Sequence, residues 1–222
     1  MAVLCMAIFY LPFFVYFRIG FMKAKEPITE YSKLDLSKSY NFLDYMSWQF
    51  KERVELIKGK IFEMSPAPSS NHQTILLNFS KELGNFFHKK NCRVFPAPFD
   101  VRLFPEKSGK DQTVVQPDIS IVCDERKLDK KGCLGPPDLV LEIISPGNTP
   151  YDLNTKFKLY EEAGVKEYWI VDPVLKTVLV YTKTSNRFIG FRPFTEGDEI
   201  ECKLFPEMKI KVDEVFSKML PE

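Results

Sequence analysis

Two apolar runs, Val115-Gln-Pro-Asp-Ile-Ser-Ile-Val122 and Asp138-Leu-Val-Leu-Glu-Ile-Ile144, read as strands buried in a sheet, and each carries an acid where such a strand should be apolar. The acids are Asp118 and Glu142. A buried carboxylate is strongly disfavoured unless it is paired, hydrogen-bonded or bound to a metal. Any fold this chain adopts must therefore deliver partners to both positions. The spacing predicts a helix at about 150–163, ended by Gly164, soon after the second run. Along it Leu153, Lys156, Phe157 and Tyr160 follow i, i+3, i+4, i+7, which sets Lys156 inside the apolar arc while Lys158 points away.

Side chains alternate faces along a strand. Gln116, Asp118 and Ser120 share one face of the first run, and Val140, Glu142 and Ile144 share one face of the second. On neighbouring strands the two carboxylates converge on one point. Oxygen ligands of this kind suit Mg2+, with Mn2+ as a substitute. A metal held there stabilises charge on a phosphate and activates a bound water, so the pattern points to phosphodiester chemistry.

Competing readings stay open for each residue. Asp118 after a proline can close a turn, Glu142 and Lys156 can form a structural ion pair, and a lysine beside an apolar stripe can snorkel. His72, at the start of a helical stripe with Ile75, Leu76 and Phe79, faces inward as a ligand-orienting or a structural histidine. No Gly-x-Gly-x-x-Gly or P-loop occurs, and Ser145 and Cys133 lack a histidine at motif spacing. Gly132-Cys-Leu-Gly135 reads as a turn, and the lysine clusters at Lys107–Lys110 and Lys127–Lys131 as solvated loops or phosphate contacts.

The rest of the chain is organised around an α/β (α+β) mixed sheet. A helix is expected over 40–50, then a hairpin from Arg53 to Met64 turning at Lys58-Gly59, and a helix at about 70–89 capped by serine. Strands are expected near 92–104, 115–122, 138–145, 167–172, 176–183, 188–193 and 199–204, with a last helix over 212–219. No repeat or long linker divides the chain, so 22–222 reads as one domain of ordinary size.

With 31 Lys+Arg against 30 Asp+Glu, the chain is no basic nucleic-acid-coating protein, although a single cleft can still gather positive charge. The five cysteines have no Cys-x-x-Cys spacing and read as unpaired thiols in a cytoplasmic protein. Residues 1–17 carry no charge, fall short of the ~20 apolar residues of a spanning helix, and contain Pro12. The 1–21 extension admits three readings: an upstream start codon before Met22, a membrane anchor, or a cleaved signal.

Several blocks carry a family resemblance. Glu55-Leu-Ile-Lys-Gly-Lys-Ile61, Met64-Ser-Pro-Ala-Pro-Ser-Ser-Asn-His72, Gln116-Pro-Asp-Ile-Ser120, Pro137 to Pro146 and Lys156 to Pro173 resemble the Uma-type family of restriction endonucleases, within the PD-(D/E)XK nuclease superfamily. The resemblance implies a restriction-endonuclease-like core, a central mixed sheet flanked by helices. It implies a Mg2+-dependent DNA endonuclease with Asp118 and Glu142 on the metal, Glu55 assisting and Lys156 positioning the water; from the residues themselves, Tyr160, one helical turn from Lys156, His72 and Gln116 are expected in support. The superfamily's lysine stands two residues after the second acid, where this chain has Ile144, and Lys156 matches its migrated place on the next helix. By analogy, cutting both DNA strands calls for a homodimer, and a membrane is a partner only if 1–17 is an anchor. A second expectation from the same fold is a catalytically silent nucleic-acid-binding or interaction module.

Overall fold

The computed structural model describes residues 27–64, 68–145 and 150–221. The 1–21 extension and its three readings lie outside the described residues. Among these, no helix is long and apolar enough to cross a membrane.

The chain runs α1 (Phe42–Tyr45), β1 (Val54–Ile57), β2 (Lys60–Glu63), α2 (Ser70–Phe87), β3 (Arg93–Pro96), β4 (Val101–Arg102), β5 (Val114–Val115), β6 (Ile119–Val122), β7 (Leu128–Asp129), β8 (Gly132–Leu134) and β9 (Leu139–Ile143). It continues as α3 (Pro150–Ala163), β10 (Glu167–Asp172), β11 (Thr177–Thr184), β12 (Arg187–Gly190), β13 (Glu199–Glu201), β14 (Lys209–Lys211) and α4 (Val212–Val215). Among the described residues these strands build two six-stranded sheets, ordered β2-β1-β5-β4-β8-β7 and β12-β11-β10-β9-β6-β3, plus the pair β13-β14. Both large sheets are mixed: β9 pairs β10 in parallel and β6 antiparallel, and β4 pairs β8 in parallel and β5 antiparallel. This is the expected mixed α/β architecture, with sheets of mixed strand direction and helices packed against them.

Face alternation sorts the second sheet as expected. Ile119, Ile121, Leu139, Leu141, Ile143, Trp169 and Val171 lie in one apolar cluster with α2, through Ile75, Phe79 and Leu83. Val140, Tyr168 and Ile170 turn the other way, into a cluster with Leu159 and Tyr160 of α3. Burying two faces is what makes β9 and β10 almost continuously apolar. The expected hairpin is present, with Lys58 (φ 48°) and Gly59 (φ 80°) both left-handed at its turn. Ser69 caps α2 by accepting the His72 N–H at 3.2 Å.

Two expected strands instead break and change sheets. Pro117 has no N–H to give a ladder, so the 115–122 run divides into β5 of the first sheet and β6 of the second. The 92–104 run divides in the same way, at 97–100, into β3 and β4. The helix expected over 40–50 closes after Tyr45, because its helically spaced aromatics pack as a cluster in which Trp48 meets Tyr40, Tyr45 and Phe50 at ring distances of 5.3, 5.7 and 5.6 Å. The helix expected over 212–219 stops at Val215. Gly132-Cys-Leu is strand β8 rather than a turn, and Lys127 is tied down by donating to the Pro136 carbonyl at 2.7 Å.

The cysteine expectation is corrected as well. Arg93 pairs with Val122 across β3 and β6, which brings the adjacent Cys92 and Cys123 face to face, and they form a disulfide. Cys133 and Cys202 are free and buried.

Candidate active site

The sheet change at Gln116-Pro117-Asp118 creates a seam, and the candidate residues gather on it. Ile119 pairs with Leu141, so one step along the antiparallel ladder sets Asp118 opposite Glu142. Glu55 comes from β1 of the other sheet and stays in place because its Oε1 accepts the Gln116 backbone N–H at 2.9 Å. Helix α3 delivers Lys156, whose Nζ lies 2.9 Å from Glu142 Oε1 and 3.1 Å from Glu55 Oε1. Side-chain exposures of 5% for Glu55, 12% for Glu142, 17% for Asp118 and 19% for Lys156 make this a largely buried cluster that solvent still touches.

The supporting residues divide. Tyr160 donates its hydroxyl to Glu142 Oε1 at 2.6 Å, so it braces the carboxylate that holds Lys156. His72 reaches Asp118 Oδ2 with Nε2 at 3.3 Å, and its buried Nδ1 has no partner among the described residues. Asp118 Oδ2 also accepts the Ile143 N–H at 2.8 Å. Gln116 enters the cluster through its backbone, while its side chain turns away to Tyr45 and Asp100. The structure thus brings Glu55, His72, Asp118, Glu142, Lys156 and Tyr160 together, with Gln116 as the link between sheets.

The electrostatics follow from two carboxylates paired with one ammonium and a third, Asp118, whose charge acts on Glu142. Burial raises the Glu142 carboxyl, the charges of Asp118 and Glu55 add to the rise, and Lys156 and Tyr160 oppose it, leaving Glu142 pushed up to about 7. Burial lowers the Lys156 pKa, but Glu142 and Glu55 more than offset it and hold the ammonium above its ordinary value. The Tyr160 phenol is raised well above its ordinary value by burial and by both glutamates, so it remains a donor.

In this arrangement no three Asp, Glu, His or Cys side chains among the described residues are grouped to hold a metal ion, because Glu55 and Glu142 both turn to Lys156. The chemistry of the donor set nevertheless fits a hard divalent cation. It is rich in carboxylate oxygen, carries more negative than positive charge, and leaves Asp118 Oδ1 and Glu142 Oε2 without a donor among the described residues.

Sequence reasoning passed over three groups. Tyr168 buries a hydroxyl with no described partner, and its phenol is raised first by its own burial and then by the Glu142 charge. Strand parity could have found it, since it shares a face with Ile170, the residue paired with Glu142. Tyr45 and Asp100 join Gln116 from distant segments and left no local signal. Two other buried acids have plain structural duties: Asp138 accepts from the Cys123 N–H and from Lys166, and Glu167 from the Trp169 indole and the Leu204 N–H.

A family model, Uma2, described as "Putative restriction endonuclease", matches residues 42–213, most of the chain. Two uncharacterized proteins of Synechocystis sp. (strain ATCC 27184 / PCC 6803 / Kazusa) are similar in sequence. One, slr1290, is 26% identical over 163 residues, which is 72% of this chain and 83% of the relative. The other, sll1609, is 28% identical over 166 residues, 73% of this chain and 89% of the relative. A crystal structure titled a "putative nuclease belonging to DUF820", from Anabaena variabilis ATCC 29413, aligns with a TM-score of 0.62 at 20% identity, covering 80% of this chain and 97% of the other. At that identity the likeness speaks for the fold.

Proposed function

Because the chain belongs to the Uma2 family of restriction-endonuclease-like proteins, we propose that it is a metal-dependent endonuclease that hydrolyses phosphodiester bonds of DNA. The observation that carries this reading is that Glu142 and Glu55, from two sheets, meet on the Lys156 ammonium, with Asp118 opposite Glu142 on the neighbouring strand. Asp118 and Glu142 would hold Mg2+ or Mn2+, with Glu55 assisting. Bound there, the cation would offset phosphate charge and lower the pKa of a water nucleophile.

The chain's own residues have defined tasks. Lys156 stays protonated at neutral pH, so it orients a water and neutralises phosphate charge and does not act as a base. Tyr160 and Lys156 fix one oxygen of Glu142, and the Ile143 N–H fixes one oxygen of Asp118, leaving the other oxygen of each without a donor among the described residues. Fixing these groups on strands and a helix limits reorganisation during the reaction.

The test is cleavage of plasmid and linear DNA, with RNA in parallel, in Mg2+ or Mn2+. Wild type should cut DNA, and Asp118→Ala and Lys156→Ala should each lose about 100-fold or more. Full activity in either variant, or no DNA cleavage by wild type, overturns the reading. Binding without turnover would instead mark a silent nucleic-acid-binding module.

A further inference from the structure

A row of hydrogen bonds leaves the carboxylate cluster and ends at the surface. Gln116 is its pivot. Its backbone N–H donates to Glu55 Oε1 at 2.9 Å, and its side-chain Nε2 donates to Asp100 Oδ1 at 2.8 Å and to the Tyr45 hydroxyl at 3.2 Å. Tyr45 in turn donates to the same Asp100 oxygen at 3.0 Å. The remaining atom, Gln116 Oε1, accepts from Arg53 Nη2 at 2.9 Å. The amide cannot flip, because its oxygen would then face a carboxylate that only accepts, and its nitrogen would face a guanidinium that only donates.

This pinning has a consequence for Arg53. The side chain is exposed, and it stands two residues before Glu55, on the same side of the extended chain. A guanidinium has five N–H donors, and the one bond to Gln116 uses a single nitrogen. Its partner is a neutral amide, and among the described residues Arg53 makes no ion pair, so its charge is undiminished. Holding Arg53 on the half-buried Gln116–Tyr45–Asp100 network costs side-chain rotamer freedom that a freely solvated arginine keeps. A planar fork two residues from Glu55, held by Gln116, matches the oxygens of a phosphate.

We propose that Arg53 binds a backbone phosphate of the nucleic acid next to the carboxylate cluster, with Gln116, Tyr45 and Asp100 as positioning residues that aim it. This rests on the nuclease reading above. It adds the means by which a chain of nearly zero net charge holds its polyanionic substrate at that site.

The experiment is binding of a short fluorescent DNA duplex over a series of KCl concentrations, with Ca2+ in place of Mg2+. The same salt dependence is read from kcat/KM for cleavage in Mg2+. Arg53→Gln should weaken binding about tenfold and lower the slope of log K against log salt by about 0.9, the signature of one lost phosphate contact. Arg53→Lys should keep the slope and lose part of the affinity, and Tyr45→Phe should weaken binding with the slope intact. Thermal melts verify that each variant is folded, and Arg53→Lys serves if Arg53→Gln is not. Wild-type affinity and slope in Arg53→Gln, with wild type active, overturn this proposal alone. If wild type neither binds nor cleaves DNA, the proposal and the nuclease reading fall together.

Discussion

At the scale of the residue, the anomaly of two acids in apolar strands is resolved by what stands opposite them. Asp118 and Glu142 were legible in the sequence because strand parity is strict, and Lys156 because helical spacing put it in an apolar arc. Tyr45, Asp100 and Arg53 were not legible, since nothing local marks them and only Gln116 brings them together. Glu142 also carries a testable consequence. Its folded pKa, about 7, lies above its ordinary 4.5, so the native state binds the extra proton. That contribution to stability is complete below pH ~4.5 and is lost as pH rises through about 7, where an anionic Glu142 must be accommodated. Thermal melts in EDTA should therefore show wild-type stability falling across this window and Glu142→Gln largely flat. A Glu142→Gln profile as steep as wild type would remove Glu142 as the source.

At the scale of the element, α3 sets the position of Lys156. The C-terminal stop is written in the sequence. Gly164 takes φ 92°, and its N–H and that of Val165 both close on the Tyr160 carbonyl, at 3.2 and 3.1 Å. A Cβ there would meet only Lys183 Nζ, at 3.8 Å, so the cost of Gly164→Ala is conformational. We expect a loss of about 1–2 kcal/mol in urea unfolding, the penalty of a left-handed L-residue. A loss under a few tenths would mean that the helix end relaxes freely. Helix α1 shows the opposite case: periodicity at 40–50 was real, but aromatic packing used it, and four residues of helix sufficed.

At the scale of the whole molecule, two sheets meet where strands cross between them, and the candidate site exists only at that crossing. The Cys92–Cys123 bond staples β3, an edge strand, to β6, the strand that begins just after Asp118. Closing a loop of sequence separation 31 should stabilise the fold by about 3–4 kcal/mol on chain-entropy grounds. Cys92→Ser should lower the melting temperature under non-reducing conditions, and a reductant should lower that of wild type alone. Equal melting temperatures in all four samples would show that the bond does not form in solution. The sequence by itself determined the fold class, the hairpin, the long helices, and which faces of the central strands are apolar, because these follow from local periodicity and turn chemistry. Only the tertiary structure decided that the two halves of the 115–122 run enter different sheets, that Glu55 and Glu142 share Lys156 across the seam, and that Gln116 holds Arg53. Those contacts join residues dozens of positions apart, and their register depends on how two sheets pack, which no local pattern encodes.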